Sequence, residues 1–225
     1  MALTDEKKKN LAVIFDMDGV LIDSTEYIWE SFRQLLKPYG IKVTDELIKE
    51  CLGRSLKDQL KLWEEKFSVK LPALSEFAHK AAVIQIEMMK ESVVEKELTF
   101  LLDDLEKNHF KLAIGTSSEK TRADQILDLL GVKKYFDAII TADDVAEHKP
   151  NPHVHLEAAK RIKVSPRYCV VIEDAATGIE AARRAGMKSI GYITKYNSPE
   201  DLKDADLLIK SFSELSVKKI KGLFD

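Results

Sequence analysis

Cysteine is scarce. Cys51 and Cys169 are alone among 225 residues, too few and too far apart for a disulfide framework or a Cys-based metal site. Cys169 lies in an apolar run and reads as a small core residue. Both fit a reducing compartment, so a cytoplasmic location is expected. No apolar stretch has the length needed to cross a bilayer. Residues 1–10, with Asp5, Glu6, Lys7, Lys8 and Lys9, lack the apolar centre of a secretory signal. A surplus of positive charge is missing too: 35 basic and 38 acidic side chains give a formal net charge of -3, without the footprint of a nucleic-acid binder. Repeats and low-complexity tracts are absent. What remains is a chain 45% hydrophobic, long enough for a core domain with a small insertion. A monomer or weak homodimer, with no membrane and no nucleic-acid partner, is expected.

The chain is organised around residues 11–24, Leu-Ala-Val-Ile-Phe-Asp-Met-Asp-Gly-Val-Leu-Ile-Asp-Ser. The apolar run 11–15 reads as a strand buried on both faces, as in a parallel sheet. It ends abruptly in Asp16 and Asp18, followed by Gly19. That places two carboxylates at a strand's carboxyl end, where open α/β sheets bind ligands. Acids there cost stability unless positive charge sits beside them. A bound cation is the simplest candidate.

Residues 25–96 change character. Helical periodicity dominates, with Tyr27, Ile28, Phe32, Leu35 and Leu36 on one stripe ending near Pro38-Tyr39-Gly40. Thr44 is placed to cap a short helix, and Gly53 to break it. Leu56, Leu60 and Trp63 share a further face, and after Pro72 a helix runs to about Met89 with Phe77, Ala81, Ile84 and Met88 inward. Trp63 and the two methionines read as core packing rather than a cofactor box. From Leu98 onward helix and strand alternate. Strands are expected at 111–115, 138–140, 168–172, 188–193 and 207–209, and helices at 98–108, 119–130 (Ile126, Leu129 and Leu130 inward), 153–163 and 175–185. Such alternation implies right-handed crossovers and a doubly wound parallel sheet.

Three later strands also end in useful chemistry. Thr116-Ser117-Ser118 offers hydroxyls and N–H groups running into a helix start, which suits either a phosphate cradle or plain N-capping. Lys149, on a turn stiffened by Pro150, is placed to neutralise a phosphate. Glu173-Asp174 would either hold a cation or complement a helix dipole. Oxygen-only ligands suit Mg²⁺, while the His and Cys ligands that zinc favours are missing.

Taken together, Asp-Met-Asp-Gly-Val-Leu-Ile-Asp-Ser, Thr116-Ser117, Lys149-Pro150 and Glu173-Asp174 resemble the four motifs of the haloacid dehalogenase-like (HAD) superfamily. The run from Val171 through Met187 is similar to its β-phosphoglucomutase/phosphoglycolate phosphatase-like branch. The resemblance implies a Rossmann-like α/β core of residues 1–24 and 97–225 and an inserted all-helical cap domain of residues 25–96. It implies Asp16 as nucleophile, forming a phosphoaspartate, and Asp18 as acid/base. Gly19, Thr116, Ser117 and Lys149 would bind phosphate. Mg²⁺ would be held by Asp16, the Asp18 carbonyl and Asp174, with Glu173 close by. Arg54, in Gly53-Arg54-Ser55, is similar to a substrate-selecting cap residue, though an arginine facing solvent reads equally well. An ordinary aspartate, with a pKa of about 3.9, needs no tuning to be an ionised nucleophile. An acid at Asp18 needs surroundings that favour its neutral form. The implied activity is hydrolysis of a small phosphorylated metabolite, a sugar phosphate or phosphoglycolate. The alternatives are a sugar phosphomutase and a non-catalytic binding module on the same fold. Mutases carry a histidine where Ile28 stands and a lysine where Glu119 stands, which favours the phosphatase.

Overall fold

A computed structural model describes residues 11–51, 56–90 and 96–225. Its strands are β1 (Ala12–Phe15), β2 (Lys111–Gly115), β3 (Ala138–Ile140), β4 (Cys169–Glu173), β5 (Lys188–Tyr192) and β6 (Leu207–Ile209). The helices are α1 (Ser24–Leu36), α2 (Asp45–Cys51), α3 (Leu56–Phe67), α4 (Leu74–Met89), α5 (Lys96–Lys107), α6 (Lys120–Leu130), α7 (His153–Arg161), α8 (Ala176–Arg184) and α9 (Val217–Gly222). The chain divides into two compact units, Met1–Asp23 with Val93–Asp225, and Ser24–Ser92. No helix among the described residues is long and apolar enough to cross a membrane.

The first unit is a six-stranded sheet in the order β3-β2-β1-β4-β5-β6, with every neighbouring pair parallel. Helices α6, α7 and α8 form the crossovers that parallel pairing demands. In register, Ile14 lies between Ala113 and Val171, and all three face one core with Val154 and Ala158 of α7 and Ala182 of α8. Val13, Phe15, Ile114, Val170 and Ile172 alternate to the other face and are equally buried. Burial on both faces is why these strands are continuous apolar runs. The chain winds outward from β1 through β2 to β3, then returns to β4 and winds the other way. The reversal falls between β1 and β4, and such a switch point leaves a crevice at the strands' carboxyl ends.

The second unit is helical. Trp29, Phe32, Trp63 and Phe77 fill its core, and Phe32 meets Trp29 and Trp63 edge-on with centroids 5.5 and 5.6 Å apart. Trp63 is fully buried, so it is a packing residue. Leu47 N–H donates to Thr44 Oγ1 (3.4 Å), capping α2. Two expected phases are corrected. Helix α4 turns Phe77, Ala81, Gln85 and Met89 inward, leaving Ile84 and Met88 at the margin. The polar Gln85 is accommodated because its Nε2 donates to Ser31 Oγ (3.1 Å). In α6 the inward residues are Ala123, Ile126, Leu127 and Leu130 rather than Leu129. Helix α9, capped by Ser216 accepting from Lys219 N–H (3.2 Å), is too short to announce itself by periodicity.

Candidate active site

The site grows from the ends of β1 and β4. Asp16 N–H still donates to Ile172 C=O (2.9 Å), so the Asp16 backbone belongs to the sheet while its side chain stands at the edge. The chain then folds tightly: Leu21 and Ile22 N–H donate to Met17 C=O (2.9 and 3.2 Å) and Gly19 N–H to Ile22 C=O (2.8 Å). Gly19 has φ +83°, and a Cβ there would lie 2.0 Å from Asp174 Oδ2. Only glycine allows both that backbone and that approach. Gly178 allows the same close approach by Glu173, since a Cβ there would lie 1.9 Å from Glu173 Cδ. Asp16, Asp18, Thr116, Ser117, Lys149, Glu173 and Asp174, all anticipated from sequence, line one cavity of about 240 Å³ together with Ser118 and Thr177. Arg54 lies outside the described residues.

Lys149 is the site's positive centre. Its Nζ donates to Asp16 Oδ1, to Glu173 Oε1 and to Gly115 C=O (2.9 Å), and its side chain is only 7% exposed. Burial alone would lower the Lys149 pKa, but Asp16 and Glu173 outweigh it and hold the ammonium above the ordinary lysine range. Asp16 corrects an expectation. Burial pushes its carboxyl well above the ordinary range, Lys149 pulls it back, and Glu173 and Asp174 push it up again. The nucleophile candidate therefore depends on neighbouring positive charge to stay ionised.

Asp16, Glu173 and Asp174 each bring one carboxylate oxygen within 4.8 Å of the others. An all-oxygen set of this kind fits a hard divalent cation. Both Glu173 oxygens already have donors, Lys149 Nζ on Oε1 and Ala175 N–H on Oε2 (3.3 Å), so Asp16 and Asp174 are the better placed ligands. Asn197 Nδ2 pins the Asp174 backbone by donating to its C=O (2.7 Å). The Asp174 carboxyl is pushed up to about 7, first by burial and then by Glu173, with Lys149 opposing and Asp18 adding to the rise. A carboxyl raised on folding costs stability as pH climbs from the unfolded pKa to the folded one. In metal-free buffer, Asp174→Asn is therefore expected to stabilise the protein by about 2 kcal/mol at pH 8. The gain should shrink as pH falls from about 7 towards 4. Urea denaturation of both proteins across that range checks it, and a variant weaker than wild type at pH 8 would refute it.

Thr116 and Ser117 are not N-caps of α6: that helix starts at Lys120 with Glu119 at its N-cap, and Lys120 N–H is taken by Asp143 Oδ2 (2.9 Å). Buried Thr116 instead accepts from Ser118 N–H through Oγ1 (3.0 Å), shaping the loop that lines the cavity. Sequence reasoning missed what holds Asp18. Ser118 Oγ donates to Asp18 Oδ2 (2.7 Å), Arg122 Nη1 donates to the same oxygen (2.7 Å), and Arg122 Nη1 also reaches Ser118 Oγ (2.6 Å). Both donors fall on the same carboxyl oxygen, Oδ2, which they hold as an acceptor. No local signal announced it, since Asp18 and Arg122 stand 104 positions apart in the chain.

Comparison with known proteins gives a consistent picture. The chain is 32% identical over 214 residues to a phosphorylated carbohydrates phosphatase of Thermotoga maritima, covering 92% of this chain and 98% of that one. It is 33% identical over 182 residues to a fructose-1-phosphate phosphatase of Escherichia coli, covering 79% and 94%. The crystal structure of a β-phosphoglucomutase from Clostridium difficile superposes with a TM-score of 0.79 at 29% identity, covering 95% and 96%. The family described as haloacid dehalogenase-like hydrolase matches residues 13–192. With that span covering most of the chain, the chain belongs to the haloacid dehalogenase-like hydrolases.

Proposed function

We propose that this protein is a Mg²⁺-dependent phosphoric monoester hydrolase that acts on a small phosphorylated metabolite of the sugar-phosphate class through a phosphorylated Asp16. The observation that carries this reading is the buried Asp16 carboxylate at the tip of β1, bonded to Lys149 and set beside Glu173 and Asp174. The names of the two phosphatases above, which act on phosphorylated carbohydrates and fructose 1-phosphate, support the substrate class.

Asp16 attacks the phosphorus, forming a P–O bond as the bond to the leaving oxygen breaks. The leaving oxygen takes the electron pair and a proton from Asp18. Water then attacks the phosphorus, giving its proton to Asp18, and the Asp16 carboxylate leaves. Lys149 and the Thr116 and Ser117 hydroxyls position the phosphoryl oxygens and offset their charge, while the N–H groups of Gly19, Leu21 and Ile22 are taken by backbone carbonyls and shape the loop. Asp16, the Asp18 carbonyl and Asp174 would hold Mg²⁺, which when bound would supply positive charge to offset repulsion between the Asp16 carboxylate and the phosphate. The helical unit acts as the cap that selects the substrate.

The test is phosphate release from fructose 1-phosphate, glucose 6-phosphate, β-glucose 1-phosphate and phosphoglycolate, with Mg²⁺ and with chelator. Release from at least one, lost with chelator, is the expected result. The β-phosphoglucomutase neighbour defines the second reading. No release, with β-glucose 1-phosphate isomerised when a sugar bisphosphate is added, would move the protein to that class. Silence in both assays would leave a binding module.

A further inference from the structure

We propose that Arg122, acting with Ser118, is a positioning residue that fixes the orientation of the Asp18 carboxylate and so sets how well it delivers a proton to the leaving group. The inference rests on the phosphatase reading above and adds a residue to it.

Three polar groups close a small ring. Ser118 Oγ and Arg122 Nη1 both donate to Asp18 Oδ2 at 2.7 Å, and they lie 2.6 Å from each other. An aspartate has two side-chain torsions, and two donors on one oxygen remove most of that freedom. The donors are themselves rigid. Ser118 ends the loop after β2, with its N–H on Thr116 Oγ1 (3.0 Å). Arg122 stands in the first turn of α6, four residues on, and both donors meet Asp18 at the same oxygen.

Arg122 is not an ordinary surface cation. Its side chain is only 19% exposed against 27% for Asp18. Its second terminal nitrogen, Nη2, is buried, with no hydrogen-bond partner among the described residues. A buried unmet donor costs stability, and helix formation alone gives no reason to accept that cost. The other charged side chains of α6, Lys120, Asp124 and Asp128, pair along the helix or with Lys133, away from the cavity. Arg122 alone among them is directed at the residue that handles the proton. Proton transfer is steep in geometry, so a displaced Asp18 would lose rate without loss of phosphate binding.

Leaving-group dependence separates this role from a structural one. An alkyl alcohol needs a proton to depart, whereas p-nitrophenolate leaves as a stable anion. We would measure kcat/KM, which reports steps up to departure of the alcohol, for the best sugar phosphate of the panel above and for p-nitrophenyl phosphate. The proteins are wild type, Arg122→Gln, Arg122→Lys and Ser118→Ala, with Asp16→Asn as a blank. For Arg122→Gln the sugar phosphate should lose about 30-fold or more and p-nitrophenyl phosphate less than about threefold. The inhibition constant of inorganic phosphate should hold, and Arg122→Lys should recover part of the loss. Equal losses on both substrates would overturn the inference in favour of a structural role. A weakened phosphate inhibition would overturn it in favour of substrate binding. If Arg122→Gln does not fold, by circular dichroism, Arg122→Lys and Ser118→Ala carry the same comparison. An inactive wild type would sink the phosphatase reading, and this inference with it. An active wild type whose leaving-group preference no variant alters would sink the inference alone.

Discussion

Lys149→Met is expected to cost about 3–5 kcal/mol of stability at pH 8 and to abolish phosphate release. Methionine keeps the length of the side chain and removes its charge, so packing changes little while electrostatics changes a great deal. The ammonium sits between Asp16 and Glu173, whose side chains are 9% and 1% exposed. Without it, two carboxylates face each other in a site that already holds Asp174. The penalty has a sign that pH reveals. It applies to ionised carboxylates, so it is largest at high pH and declines as pH falls and the Asp16 carboxyl, already raised by burial, takes up a proton. Urea denaturation at pH 8 and pH 5.5 reads both the size and the trend. Adding Glu173→Gln to Lys149→Met should return part of the stability, because it removes one of the two unpaired charges. Equal midpoints for wild type and Lys149→Met at pH 8 would contradict this description of the site.

Asp16→Asn is expected to lower phosphate release at least about 10⁴-fold while leaving the protein folded. The amide keeps the shape of the carboxylate but cannot displace a leaving group, and it withdraws one of the three carboxylates that fit a cation. The fold should survive because the substitution removes a buried charge that burial, Glu173 and Asp174 all oppose, while Lys149 keeps Glu173 and the Gly115 carbonyl as partners. Initial rates of phosphate release, with thermal melts in parallel, check both halves. Residual activity within tenfold of wild type would remove Asp16 from the role of nucleophile.

Much of this site is legible because its charged residues interrupt apolar strands. Asp16, Glu173 and Asp174 stand immediately after or at the end of runs such as Ala-Val-Ile-Phe and Cys-Val-Val-Ile, so their place at one edge of a parallel sheet follows from the pattern. The pairing of β1 with β4 is less accessible: alternation of helix and strand allows several orders, and only the return crossover puts Asp16 beside Glu173. Arg122 is hidden in another way. On a polar, exposed helix start, its partner lies 104 positions away, and no local spacing reports such a contact. Gln85 is similar, a polar residue turned inward because Ser31 waits for it on α1. The raised Asp16 carboxyl is a property of burial, which motif reading does not supply.

The central claim is that phosphate passes through Asp16, and rapid acid quenching tests it most directly. Protein would be mixed for milliseconds with the ³²P-labelled form of its best sugar phosphate and Mg²⁺, quenched, and digested for peptide mapping. The account predicts acid-stable, hydroxylamine-labile label on the peptide containing Asp16, and none in Asp16→Asn or with chelator. Full turnover by wild type with label on a different residue would contradict it.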